Sequence, residues 1–430
     1  MSELANESGR RTSETTQALP EALAEPTVRV RPGWMSLLFF ANIALWLGIY
    51  APIQVLLPQQ AELLDQVNKE FVLGLVMGVG AVVALVVNPA VGLLSDRTTS
   101  RFGRRHPWTV AGAAVATVGL LVLAFAPNVA LMITGWCLVQ AGLNGMLATL
   151  MSAIADRVPV GQRAQVGGLV GIAQMLGTVL GAVVVVVMLG IAGLPLAYAS
   201  CAGIVLVGAA FFVLRTPDAR LPVEFRPSSQ AGEVIRNLWV SPRRFPDFAW
   251  AWSCHFMINL GNAFGTLYLL FFLKDAVHYP DPDTGLLIMM ALYGVALVVG
   301  ALLAGHFSDK SGRRKPYVLV ASGVMALAAL LLVVWQSWPV ALAASPLLGV
   351  GFGAYMAVAL AMLTQVLPTA QDRAKDLGVI NIANSLPQVV APLVTPLVLT
   401  YLGGYSGLFA ASAVATLLAA VLVLRVKAVR

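Results

Sequence analysis

The sequence predicts an all-α integral membrane protein, with twelve transmembrane helices arranged as two pseudo-symmetric six-helix bundles. Three observations carry this. The 430 residues are 59% hydrophobic and only 11% charged, too few charges to cover the surface of a soluble domain of this size. The apolar residues fall into twelve runs, each long enough to cross ~30 Å of hydrocarbon as a helix. Finally, a basic turn, Gly92-Leu-Leu-Ser-Asp-Arg-Thr-Thr-Ser-Arg-Phe-Gly-Arg-Arg-His-Pro107, returns in shorter form as Gly305-His-Phe-Ser-Asp-Lys-Ser-Gly-Arg-Arg-Lys-Pro316, its aspartate 213 residues further on.

Residues 1–33 are rich in Ser, Thr, Glu and Pro and have little apolar surface to bury, so a disordered cytoplasmic tail is expected there. The tail holds no apolar stretch of the kind a cleavable signal peptide carries. The spans follow at 34–58, 70–94, 108–126, 129–155, 164–188 and 195–214, then at 248–273, 284–307, 317–335, 339–366, 377–401 and 405–426. In lipid each segment must satisfy its own backbone hydrogen bonds, which makes these runs helices. Segment 215–246, with Pro217, Pro222, Pro227, Pro242, Pro246 and six arginines, is the expected cytoplasmic linker. It divides a first bundle, 34–214, from a second, 247–430.

Lys and Arg set the orientation. Of the 27 such residues, all but Lys69 and Lys274 fall in the tails or in loops on one side of the membrane. That side reads as the cytoplasm, so both termini are expected there, in a plasma or bacterial inner membrane. The net charge of +7 is then a topology signal, and no nucleic-acid partner is expected. No phosphate-binding glycine loop, metal-ligand cluster or nucleophile–base pair is visible, so neither an enzyme nor a cofactor or metal is expected. Cys137, Cys201 and Cys254 sit inside apolar runs and read as small buried residues.

The repeated turn holds more than an anchor needs. Gly92, Asp96, Arg97, Arg101, Gly103, Arg104 and Arg105 set one acid among arginines, where charge-assisted hydrogen bonds hold a carboxylate. Gly305, Asp309, Lys310, Gly312, Arg313 and Arg314 do the same in the second copy. Asp156, Arg157 and Arg163, after the fourth span, have counterparts in Asp372 and Arg373 after the tenth. Matching inner loops indicate parallel repeats about an axis normal to the membrane. These turns are expected to form a latch that holds the cytoplasmic side shut and breaks when the halves rock apart.

Polar side chains at mid-membrane depth are costly unless they face a cavity or a partner. His255, Asn259, Asn262 and Thr266 follow one another at steps of four, three and four, which is one helical face of the seventh span. Asn381, Asn384 and Gln388 repeat the pattern in the eleventh. Asn42, Trp46, Tyr50 and Gln54 wind along the first span, and Gln140 and Asn144 sit in the fourth. Gln174, Tyr293 and Tyr355 add single groups from the fifth, eighth and tenth. Amides and aromatic faces suit a neutral, hydroxyl-rich solute; the competing reading is that they hold helices to one another. His255 is the only ionisable side chain placed inside the spans. It is the candidate coupling group for a proton, against the alternative of a neutral, hydrogen-bonded imidazole.

The two turns resemble the signature loops of the major facilitator superfamily. The extended form Ser95-Asp-Arg-Thr-Thr-Ser-Arg-Phe-Gly-Arg-Arg-His-Pro107 resembles the sucrose transporter and glycoside–pentoside–hexuronide branch. So do Leu377-Gly-Val-Ile-Asn-Ile-Ala-Asn-Ser-Leu-Pro-Gln388, and Ala155-Asp156 followed by Arg163-Ala-Gln-Val. The resemblance implies that spans 1, 4, 7 and 10 surround a central cavity, with spans 2, 5, 8 and 11 beside them. It also implies that Asp96 meets the start of span 11 near Asp376. Sugar–cation symporters of that branch carry a carboxylate in span 4 where this chain has Gln140, and others in span 2 or 8 that are missing here. The resemblance therefore does not reach their coupling site. The expected activity is alternating-access transport of a small neutral polar solute, a sugar or glycoside, by a monomer in the bilayer. A symporter is one version of it. An exporter of a lipophilic drug or metabolite is the alternative, and a non-transporting receptor of the same fold is the third reading.

Overall fold

The protein is seen in a computed structural model that describes Pro20 and residues 22–226, 244–366 and 373–427; among these, the regular structure is helical throughout. The first four helices are α1 (Pro32–Leu64), α2 (Lys69–Asp96), α3 (His106–Ala124) and α4 (Val129–Arg157). The run Val160–Arg215 leaves helical geometry at Ala192 and Gly193. It is two helices, α5 (160–191) and α6 (194–215). Gly193 has φ +71°, a conformation that suits a residue without Cβ, and Pro195 opens the new helix where its missing N–H costs nothing. Then come α7 (Pro246–Asp275), α8 (Pro282–Ser311), α9 (Lys315–Val334), α10 (Trp338–Gln365), α11 (Arg373–Tyr401) and α12 (Gly404–Arg425).

Eleven of the described helical runs are long and apolar enough to cross a membrane by length and composition, and one of them, Gly161–Arg215, is 55 residues long and holds two of the twelve expected spans. The first span differs from expectation. Its helix continues past 58 to Leu64: Pro52 opens a wider π turn, Pro52–Leu56, and Pro58 lies in the first turn of the α-helical stretch that follows, Leu57–Leu64. A proline removes one N–H from the ladder, and a π turn lets the chain pass it without stopping. The expected linker lies largely outside the described residues, at 227–243.

Within the first six helices, α1 packs along α5 and α6, and α3 along α4; in the last six, α8 packs on α10 and α12 on α7 and α9. The close crossing of α8 and α10 depends on Gly353, where a Cβ would overlap the Leu297 carbonyl. The two sets of six touch through α2 with α11 and α5 with α8. Those contacts lie toward the face opposite the termini. Gly74 of α2 faces Pro392 and Pro396 of α11, Gly78 faces Leu393, and Gly294 of α8 faces Val179 of α5. Toward the terminus-bearing face, several glycines have no described neighbour at their Cβ position. Gly92 of α2 and Gly167, Gly168 and Gly171 of α5 look into open space, and Gly305 of α8 meets only Ala357 of its neighbour α10.

Candidate substrate site and gates

At mid-depth, one face of α7 gathers partners from three helices. The His255 ring joins Tyr355 of α10 and Asn384 of α11: Nδ1 lies 2.6 Å from the Tyr355 hydroxyl and Nε2 lies 2.6 Å from Asn384 Oδ1. An amide oxygen only accepts, so Nε2 donates to Asn384; in a neutral ring Nδ1 then accepts from the Tyr355 hydroxyl. A neutral imidazole thus satisfies both nitrogens. One turn on, Asn259 Nδ2 donates to the His255 carbonyl at 2.8 Å. Asn262 Oδ1 accepts from the Tyr293 hydroxyl of α8 at 2.9 Å, and Thr266 returns its hydroxyl to the Asn262 carbonyl.

The α1 stripe is less satisfied. Trp46 and Tyr50 stack with ring centroids 5.7 Å apart, and Gln174 of α5 is partly buried. Gln54 Nε2 reaches across to Met290 Sδ of α8 at 3.5 Å, and Asn42 Nδ2 donates to the Leu38 carbonyl. Asn42 Oδ1, Trp46 Nε1 and Gln54 Oε1 are buried with no partner among the described residues. Such groups are costly to leave unpaired, so they mark places where a polar solute can supply the missing bonds. In α4, Asn144 Nδ2 donates to Gln140 Oε1 at 2.8 Å, and the pair serves itself. Gln388 is exposed. The side chains of Asn381, Asp309 and Arg373, and all of Asp372, lie outside the described residues.

On the terminus-bearing face the first turn folds around Arg105. Its Nη2 donates to Asp96 Oδ1 at 2.6 Å, its Nε to Asp156 Oδ2 at 2.8 Å and its Nη1 to Ser95 Oγ at 2.5 Å. Arg104 Nη2 adds a bond to Asp156 Oδ1 at 2.6 Å. Burial works against the Arg105 charge, but Asp156 and Asp96 outweigh it and hold the guanidinium above its ordinary value. Gly103, at φ +95°, leaves room for the Asp218 carboxylate, whose Oδ2 accepts from the backbone N–H groups of Arg105 and His106 at the start of α3. Arg163 closes the other end of this patch by donating to the Val158 and Ala155 carbonyls at the end of α4. Arg97 and Arg157 are partly buried, and Arg101 lies over the Phe102 ring. In the second turn, Arg314 Nη1 donates to Ser308 Oγ at 2.7 Å, the counterpart of Arg105 with Ser95. Gly312 ends α8 at φ +63°, while Lys310 and Arg313 are exposed. The bonds described at these turns each stay within one set of six helices. Sequence reasoning singled out neither Ser95 and Ser308 nor Asp218; the Ser-Asp pair present in both turns was the available signal.

The opposite face carries a cluster that crosses between the two sets. Lys69 Nζ lies 3.2 Å from Glu62 of α1 and 2.7 Å from Asp275 of α7, and Lys274 Nζ lies 2.5 Å from Glu62. Gln59 donates to Asp283 of α8 at 2.7 Å, and Tyr405 of α12 donates to Asp275 at 3.1 Å. The two lysines that stood alone on that side in the charge count are the two that pair across the seam.

Comparison with known proteins agrees with this architecture. Over 122 residues the chain is 27% identical to the general alpha-glucoside permease of Schizosaccharomyces pombe, covering 24% of this chain and 22% of the permease. Over 50 residues it is 38% identical to the sucrose transport protein SUT1 of Oryza sativa subsp. japonica, covering 12% of this chain and 9% of that protein. The chain thus matches under a quarter of the length of either relative. Among solved structures, it is similar to a mutant of the nucleoside transporter NupG (TM-score 0.71, 13% identity, 92% of this chain and 99% of that one). It is also similar to a POT family transporter in complex with a thioalcohol-conjugated peptide (TM-score 0.76, 11% identity, 91% and 95%). At these identities the likeness concerns the fold. The model of the Major Facilitator Superfamily matches residues 38–291 and 256–430, and the chain belongs to that superfamily of transporters.

Proposed function

We propose that this transporter moves a small neutral polar solute, a sugar or glycoside, by alternating access. The observation that carries the reading is the set of unpaired polar atoms on α1, Asn42 Oδ1, Trp46 Nε1 and Gln54 Oε1, beside the stacked Trp46 and Tyr50 rings. One donor and two acceptors beside an aromatic platform match the hydroxyls and apolar ring face of a sugar. No Asp, Glu, Lys or Arg joins the bonds described at this level, so a charged solute would find no counter-ion. The short matches to a glucoside permease and sucrose transporters lean the same way.

Both termini lie in the cytoplasm on this reading, because 25 of the 27 Lys and Arg residues lie on their side. The state is then inward-open. The Lys69–Asp275 and Lys274–Glu62 pairs close the outside, and the charged turns around Asp96 and Asp309 are free to engage the other half when the inside shuts. His255 acts here as a neutral hub joining α7, α10 and α11, and proton coupling through it would require Tyr355 to turn its donor away.

Uptake of a radiolabelled sugar panel into proteoliposomes, with and without a pH gradient, tests the reading. Saturable uptake of at least one neutral sugar is expected. Failure of every sugar, together with expulsion of a lipophilic dye, overturns it. Gradient-driven accumulation that His255→Gln abolishes while exchange persists would make His255 the coupling group.

A further inference from the structure

A concavity lies away from the polar stripes of α1 and α7. It sits between the N-terminal arm and the terminus-bearing ends of α1, α3, α4 and α6, and its volume is about 880 Å3. The arm is pinned beside it by Gln162 at the start of α5. Val30 N donates to Gln162 Oε1 at 3.0 Å, and Gln162 Nε2 donates back to the Val30 carbonyl at 3.4 Å.

Six arginines against three acids line the cavity. The buried members are already committed. Arg104 and Arg105 bond Asp156, and Asp218 accepts from the first N–H groups of α3. The exposed members are not. Arg29 and Arg31 from the arm and Arg215 from the end of α6 have no carboxylate partner among the described residues. Trp34 also lines the cavity, and its indole N–H is buried without an acceptor among those residues.

Like charges gathered around a concavity repel one another unless an anion neutralises them. Guanidinium forks match phosphate oxygens two at a time. A positive-inside bias accounts for arginines on this face, but not for three uncommitted ones around a single cavity. The adjoining helix surfaces say which kind of phosphate fits. Phe40 of α1, and Phe211 and Leu214 of α6, are exposed apolar side chains on the helices that carry Arg31 and Arg215 at their ends. They offer acyl chains apolar helix surface within about three turns of those charged ends.

We propose that this cavity binds the phosphate headgroup of an anionic phospholipid. Arg29, Arg31 and Arg215 hold the phosphate, and Phe40, Phe211 and Leu214 carry the acyl chains. The bound lipid ties the N-terminal arm to the end of α6. The site is independent of the transported solute.

The test uses the purified full chain in neutral detergent. Phosphatidylglycerol, phosphatidylcholine and soluble glycerol phosphate are titrated separately, with bound molecules counted by native mass spectrometry and Tm followed in parallel. Phosphatidylglycerol is expected to be retained at least tenfold better than phosphatidylcholine and to raise Tm. Combined Arg29→Gln, Arg31→Gln and Arg215→Gln should remove one retained lipid and the Tm increase while leaving the lipid-free Tm near that of the parent. Arg425→Gln with Lys427→Gln, also exposed on this face, should keep both responses. Equal retention by the triple variant and the parent overturns the proposal, as does equal loss in the control variant. Saturation by glycerol phosphate with no preference for the lipid overturns the lipid assignment.

Discussion

Replacing Lys69 by Met isolates the contribution of the cluster on the face opposite the termini. Lys69 is 8% exposed and lies between Glu62 and Asp275, whose side chains are 24% and 34% exposed. A fully exposed pair contributes about 0.2–1 kcal/mol, and breaking a fully buried one costs about 3–5 kcal/mol. This pair lies between those limits, so about 2 kcal/mol is the reasonable cost of the substitution to the state closed on that face. At about 1.4 kcal/mol per decade, the ratio of closed to open shifts about thirtyfold. A protein closed about 99 parts in 100 would then open on that face in roughly a fifth of molecules. Spin labels at the exposed Gln66 and His278, one on each side of the seam, report this by double electron–electron resonance. Lys69→Met should add a longer-distance population, and Lys69→Arg should not. An unchanged distance distribution in Lys69→Met, with transport intact, would refute the gating argument.

Other expectations can be checked separately. Tyr355→Phe removes the donor to His255 Nδ1 and should lower stability by about 1–3 kcal/mol, read as a lower Tm in detergent, and should weaken solute binding if the α7–α10–α11 hub shapes the site. Asp156→Asn removes the charge shared by two buried arginines, Arg104 and Arg105, 7% and 4% exposed; a loss of about 2–4 kcal/mol is expected, seen as lower Tm and yield. Gly353→Leu forces α8 and α10 apart and should block folding, whereas Gly171→Leu projects into open space in this state and should preserve Tm while slowing closure of the terminus-bearing face and hence transport. The Asp281 carboxyl accepts from Thr284 at the start of α8, and those hydrogen bonds hold it below its ordinary value. A depressed carboxylate stabilises above its unfolded-state value and loses the effect as pH falls through the folded one. Removing this cap by Asp281→Ala should therefore matter more at neutral pH than in acid, by circular dichroism melts.

Much of the fold was legible because lipid imposes a one-dimensional rule. Each span must be apolar along its whole length and must satisfy its own backbone, so hydropathy alone marks it. Even the break inside Val160–Arg215 was readable, since Gly193 and Pro195 act locally. The end of α1 was placed short, at 58, because hydropathy fades there while the helix runs on through Pro58 to Leu64. At the site, the stripes on α1 and α7 were legible from helical spacing. Which members were already paired was not, because Gln140 with Asn144 and Gln54 with no donor to its Oε1 are identical kinds of signal in a sequence.

The sequence by itself determined the membrane class, the twelve spans, the repeated charged turn and the polar faces, since each depends on composition or on spacing within one helix. Tertiary structure decided which groups meet. Lys69 and Asp275 are 206 residues apart, as are no two residues of one helix, and they pair only because α2 and α7 converge at one end of the seam. On the inward-open reading proposed above it also decides which face is open, a balance of contacts between two sets of helices that a few kcal/mol can reverse and that no single segment records.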